Sequence, residues 1–189
     1  LAAFGALLLD RDRAGARLEI ATAPPRAPAR FGPSLGARPW RLLAGLLLGL
    51  AIGTKWSALW YLAAFGLLTV AWDASARHRA GIRRWWQGVL LRDAGPAFLS
   101  LVPVALLTYV GTWASWFATS GGYDRQWAAT HPGEGVTWLP EALRSWWHYH
   151  QEMWTFHTHL DSPHTYAAHA YTWLVQWRPT SFFYETPEP

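Results

Sequence analysis

The chain contains no cysteine and, among 16 basic side chains, a single lysine, Lys55. Without cysteine there are no disulfides, no thiolate nucleophile and no sulfur ligands for a metal. No serine sits in a strand-turn-helix nucleophile motif, and no glycine-rich loop follows a strand to cradle a phosphate. Acidic residues are scarce in the first half: residues 1–94 hold 13 Lys and Arg against 5 Asp and Glu, whereas residues 95–189 hold 3 against 7. So basic a start raises the question of nucleic acid. The arginines, however, flank apolar segments instead of alternating with aromatics on a polar face, so nucleic acid is not an expected partner.

What is present is apolar and aromatic. Hydrophobic residues make up 51% of the chain and tryptophan alone accounts for 15 positions, yet the mean hydropathy is zero because greasy and arginine-rich segments alternate. This is the profile of an all-α integral membrane protein with substantial loops. The chain begins at Leu1 rather than at a methionine and carries no secretory signal; it reads as an internal fragment.

Walked as a topology, residues 1–9, "LAAFGALLL", read as the end of a transmembrane helix. Residues 10–41 read as a flexible Arg/Pro-rich loop with seven arginines. Residues 42–72 form an apolar run interrupted at Thr54-Lys55, and residues 73–94 a basic loop with five arginines. The positive-inside rule puts both basic loops on the cytoplasmic side, which makes 42–72 a helical hairpin turning at Gly53–Ser57. Its legs are shorter than the hydrocarbon core, so the turn is recessed, and a charge there is tolerated where it lines a protein- or water-filled cavity. The other reading of Lys55 is a side chain that snorkels from one long tilted helix. The glycines of "GLLLGLAIG", residues 45–53, permit close helix packing. Residues 95–118 form a further transmembrane helix, with Pro103 expected to kink it and Trp113, Trp116 and Phe117 at an aromatic belt. Residues 119–189 then form an extracytoplasmic loop.

That loop opens a helix at Pro140, spanning about 140–160 by its 3.6 periodicity. The helix is amphipathic, and Trp146, His150, Met153, Trp154, His157 and Leu160 share a face that packs on the membrane interface or caps a cavity. Seven of eight histidines follow residue 130. The pairs His148/His150 and His157/His159 diverge on a helix, and His150 and His157 lie two turns apart, so no metal site is expected. The histidines are left with substrate hydrogen bonding or with packing among the aromatics.

Two stretches, "GLLLGLAIGTKWSALWYLAAFGLLTVAWD" (45–73) and "WWHYHQEMWTFHTHLDSPHTYAAHAYTWLVQWRPTSFFYE" (146–185), resemble the bacterial protein O-mannosyltransferase family. The Lys-Trp hairpin and the Tyr-His, Phe-His, His-x-Tyr, Trp, Arg-Pro and Phe-Tyr series occur in the family's order. The resemblance implies a multi-helix bundle of the GT-C type, here partial, and an inverting membrane mannosyltransferase. Such an enzyme moves mannose from polyprenyl-phosphate mannose to Ser/Thr hydroxyls of exported proteins. It implies Lys55 as a donor-phosphate ligand and His150, His157, His164, Tyr166, Trp173 and Arg178 as loop residues of the donor or acceptor site. The catalytic acidic residue of the family is expected upstream of Leu1. Expected partners are the donor lipid, the acceptor proteins, the bilayer and the secretion machinery; no cofactor is expected. Localisation follows as the bacterial plasma membrane, multi-pass, with the C-terminal loop outside. The sequence departs from the family pattern at Ala167, Ala168 and Ala170, so contacts that depend on polar residues there are not carried over. Other readings of the residues are a GT-C transferase for another sugar, a transporter with Lys55 and the histidines along its path, or a non-catalytic membrane subunit.

Overall fold

The computed structural model describes residues 1–24, 30–159, 169–175 and 177, and among these every regular element is helical. The chain divides into two units, Leu1–Thr119 and a second beginning at Ser120.

The first unit contains α1 (Ala2–Thr22), α2 (Pro39–Thr54), α3 (Ala58–Arg79), α4 (Trp85–Val89), a π-turn over Leu90–Ala94, α5 (Gly95–Thr112) and the short α6 (Ala114–Ala118). Pro39 starts α2 at a position where its missing N–H costs nothing. The π-turn joins α4 and α5 into one apolar helix of 28 residues, Trp85–Thr112. At about 42 Å this helix is long enough to cross a bilayer, as is the 22-residue α3 at about 33 Å. Neither is the core helix of a soluble fold: only 17% of the apolar stretch of α3 and 22% of that of Trp85–Thr112 is buried. Leu67 and Leu107 on these helices are 74% and 72% exposed. Surfaces this extensive and this apolar belong against hydrocarbon, so the chain is a membrane protein.

Two kinds of contact hold the first unit together. Along one seam α2 lies on α5, with Gly45, Gly49 and Gly53 at four-residue spacing. A Cβ on Gly45 would come within 2.6 Å of the Ser100 carbonyl oxygen, one on Gly49 would strike the Ala105 carbonyl, and one on Gly53 would lie 2.8 Å from the Thr112 side chain. The glycines are therefore what lets the two backbones touch, and in lipid such close packing replaces the hydrophobic drive that water would supply.

The other contact is ionic. Asp10 of α1, Arg38, Arg41 of α2 and Asp73 of α3 form a four-membered cluster that is almost wholly buried. Arg38 donates to Asp10 Oδ2 at 2.5 Å and to both Asp73 oxygens at 2.8 and 2.7 Å, while Arg41 donates to Asp73 Oδ2 at 2.8 Å. Burial works against the charge of Arg38, but the bonds and charges of Asp10 and Asp73 outweigh it and raise its pKa above that of a free arginine. A second node lies nearby: Arg77, fully buried, donates to Asp93 at 2.5 and 2.9 Å and to the carbonyls of Phe31 and Pro33 at 3.1 and 3.0 Å.

These contacts change the reading of the polar segments. The first helix does not stop at Leu9 but continues to Thr22, because Asp10, Ala14 and Leu18 at i, i+4 and i+8 form a buried face. Ala14 and Leu18 pack with Leu35 and Ile82. Beyond α1, the described part of the 10–41 segment is tied down by Arg17, which donates to the Leu35 and Ala37 carbonyls at 2.9 and 2.8 Å. Likewise α3 runs past Trp72 to Arg79, since Asp73 and Arg77 are paired inside the unit. Pro103 lies inside α5, which runs unbroken from Gly95 to Thr112; the irregular turn comes earlier, at Leu90–Ala94.

The second unit holds α7 (Trp127–Thr130), α8 (Glu141–His159) and a 3₁₀ turn at Ala170–Val175. Ser145 Oγ accepts the Ala128 N–H at 3.0 Å, and Arg144 donates to the carbonyls of His131, at 3.1 Å, and Glu134. These two buried side chains fasten α8 to the α7 segment.

Candidate functional site

Lys55 is the residue at which α2 ends. Its backbone is extended (φ −154°, ψ 126°), its N–H closes the last turn of α2 on the Ala51 carbonyl at 2.9 Å, and its own carbonyl accepts from Ala58 N at 3.0 Å as α3 begins. The break between the helices thus occupies Lys55–Ser57, while Gly53 and Thr54 remain helical. The lysine side chain is exposed. It lines the end of a groove of about 660 Å³ that runs between α1, α2 and α3 past Phe4, Leu47, Leu48, Ala51, Ala58, Tyr61 and Phe65. Lys55 is the one charged side chain among the described residues lining it, and Ser57 is the only hydroxyl besides Tyr61. Aromatic contacts, Phe4 to Phe65 at 5.5 Å and Tyr61 to Phe65 at 6.0 Å between ring centres, stiffen the wall. A hydrocarbon slot with one cation at its end has the polarity of a lipid whose head is anionic.

On the other side of the turn, Trp56 Nε1 donates to the Tyr109 hydroxyl of α5 at 3.0 Å. Neither residue stood out in the sequence as a partner of the other, since 53 positions separate them.

The histidines of the second unit have distinct surroundings. His148 stacks face to face on Trp127 at 4.0 Å, and Trp127 stacks in turn on His131 at 4.9 Å. The His148 Nε2 lies 4.0 Å from Asp124, a residue held at φ 53°, in the left-handed region. His150 is partly buried; its Nδ1–H donates to the Trp146 carbonyl at 2.7 Å and its ring sits 4.1 Å from the Trp146 ring. Burial lowers the pKa of His150, with the bond to the Trp146 carbonyl opposing that shift. His157 is exposed, 5.5 Å from the Phe156 ring. The two histidines share α8, and among the described residues no group of three His, Asp or Glu is placed to hold a metal. Lys55 belongs to the first unit and His150 and His157 to the second. His164, Tyr166 and Arg178 lie outside the described residues, as does the side chain of Trp173, whose backbone falls in the 3₁₀ turn.

The ionic cluster of Asp10, Arg38, Arg41 and Asp73 escaped the sequence reading, which counted the arginines as topological signal. The legible hint was Asp73 and Asp10, carboxylates immediately beside apolar runs where a lone acid is costly.

No protein-family model matches the chain, and no solved structure matches it. Curated relatives do. The chain is 37% identical over 188 residues to the polyprenol-phosphate-mannose--protein mannosyltransferase of Mycobacterium tuberculosis. It is 38% identical over 190 residues to that of Mycolicibacterium smegmatis and 36% identical over 193 residues to that of Corynebacterium glutamicum. These alignments cover 96 to 98% of the chain but only 36 to 37% of each relative, so the chain spans little more than a third of their length. Over nearly all of its residues the chain is thus homologous to one segment of the polyprenol-phosphate-mannose--protein mannosyltransferases, the family that its Lys-Trp and His-Tyr motifs resemble.

Proposed function

We propose that this chain is part of a membrane mannosyltransferase of the GT-C type that transfers mannose from polyprenyl-phosphate mannose to Ser or Thr hydroxyls of exported proteins. The observation that carries the reading is Lys55 at the end of an apolar groove. The printed names of the relatives supply the donor and the protein acceptor.

In this reading the polyprenyl tail lies along the Phe4–Leu48–Phe65 wall and the donor phosphate meets the Lys55 ammonium. The acceptor hydroxyl gives its proton to the carboxylate base that the resemblance implies, its oxygen attacks the anomeric carbon from the face opposite the phosphate, the bond from that carbon to the phosphate oxygen breaks, and the configuration inverts. Negative charge grows on the departing phosphate as the bond lengthens. A cation fixed beside it stabilises that charge more in the transition state than in the ground state, which is what accelerates the step. Lysine suits the role as a point charge. The second unit, with His150, His157, His164, Tyr166, Trp173 and Arg178, lies on the extracytoplasmic side and contributes to the donor or acceptor site. The arginine-rich ends of α1 and α3 face the cytoplasm of a multi-pass plasma-membrane protein.

Lys55→Met keeps the stem and removes the charge. Mannose transfer to a Ser/Thr peptide, measured in membranes and normalised to protein abundance, is expected to fall by roughly 10²-fold. Lys55→Arg recovers only part of the loss, because a planar guanidinium fits a point-charge site poorly. Transfer by Lys55→Met at the parental rate refutes the assignment.

A further inference from the structure

The side chain of Lys55 is long, exposed and rotamer-rich, and a contact to one phosphate requires its backbone to be held in place. The backbone of the turn that carries it makes local bonds: Lys55 N–H donates to the Ala51 carbonyl, and Ala58, Leu59 and Trp60 N–H donate to the carbonyls of Lys55, Trp56 and Ser57. We propose that Trp56 and Tyr109 are positioning residues that fix this turn against α5 and thereby aim Lys55 into the groove, an inference that rests on Lys55 acting on the donor phosphate.

Three observations support it. The Lys55 and Trp56 side chains meet different neighbours. The lysine lines the groove among α1, α2 and α3, and the indole reaches Tyr109 of α5 at 3.0 Å. The anchor is itself immobile: Tyr109 is only 8% exposed and its ring meets Trp113 edge-on at 6.3 Å. The turn also begins from a fixed point, since Gly53 leaves no room for even a methyl group before Thr112. The indole–phenol bond thus ties the turn that carries Lys55 to α5, and neither residue needs to touch substrate.

The test uses the full-length protein in membranes. Tyr109→Phe and Trp56→Phe each keep a ring and delete the bond. Each is expected to raise the KM for polyprenyl-phosphate mannose about fivefold, the effect of one hydrogen bond, while leaving the peptide KM unchanged. The double variant should match either single one, and in a Lys55→Met background Tyr109→Phe should change nothing. A second arm does not depend on turnover: a nitroxide on Lys55→Cys should become more mobile when Tyr109→Phe is added. Unchanged nitroxide mobility, a peptide KM that moves with the donor KM, or the same fivefold effect in the Lys55→Met background overturns the proposal. If Lys55→Met itself leaves transfer untouched, the phosphate reading above is what fails, and the nitroxide arm still decides whether the indole–phenol bond fixes the turn.

Discussion

Replacing Asp73 with Asn is the most revealing perturbation of the ionic cluster, because it alters charge at nearly constant shape. The carboxylate accepts from Arg38 at 2.7 and 2.8 Å and from Arg41 at 2.8 Å, and only 4% of Asp73 is exposed. Asn keeps one accepting oxygen but turns an NH₂ group toward a guanidinium, and it leaves two arginines sharing Asp10. Removing one partner of a buried ion pair costs about 3–5 kcal/mol. Against a whole stability of about 5–15 kcal/mol this is a large fraction, so Asp73→Asn is expected to lose most of its heat resistance. The cost arises from the uncompensated cation rather than from the lost bonds. Adding Arg41→Met should therefore restore stability: it leaves one arginine to one aspartate, Arg38 to Asp10 at 2.5 Å, with an apolar chain in the vacated volume. The assay is thermal unfolding of the full-length protein in detergent, followed by fluorescence-detected gel filtration. A double variant less stable than Asp73→Asn, by the cost of Arg41→Met alone, would show that the four groups do not act as a neutral unit and refute the argument.

Two further outcomes are expected. Gly49→Ala drives a methyl group into the Ala105 carbonyl and to 2.6 Å from the Thr108 Cβ, at a cost of about 1–3 kcal/mol, whereas Gly66→Ala meets nothing within 4 Å and is neutral or stabilising; equal losses in thermal stability would refute the α2–α5 seam. For topology, Arg83→Cys and Glu134→Cys both replace exposed side chains. An impermeant thiol reagent on intact cells should label the second alone, with Arg83→Cys labelled after permeabilisation; labelling of Arg83→Cys from outside contradicts the orientation.

The parts of the fold legible in the sequence were those written locally. The interruption of an apolar run at Thr54-Lys55 marks the break between α2 and α3, and Pro140 announces α8 one residue before its start at Glu141. What was illegible depends on distance. Asp10-Arg11-Asp12-Arg13 looks like the end of a span, because charges normally terminate one, yet Asp10 is neutralised by Arg38, 28 residues on, and the helix carries through. The same holds for Arg77, whose partner Asp93 and carbonyl acceptors Phe31 and Pro33 no local pattern connects. In the candidate site, Lys55 is conspicuous as a lone charge among apolar residues. Its groove is not, because that depends on α1 packing beside α2 and α3. His148 shows the limit from the other side: nothing in its HxH spacing distinguishes a residue stacked on Trp127 from a ligand.

The wiring of Arg77 also dictates an order of events during synthesis. Phe31 and Pro33 leave the ribosome first, Arg77 follows, and Asp93, which neutralises it, comes 16 residues later still. Until the π-turn has been made, the arginine has carbonyls to bind but no counter-charge, and burying it is unfavourable. The carbonyls of Phe31 and Pro33, Arg77 and Asp93 therefore meet as one charge-neutral node only in a chain that already contains the π-turn at Leu90–Ala94.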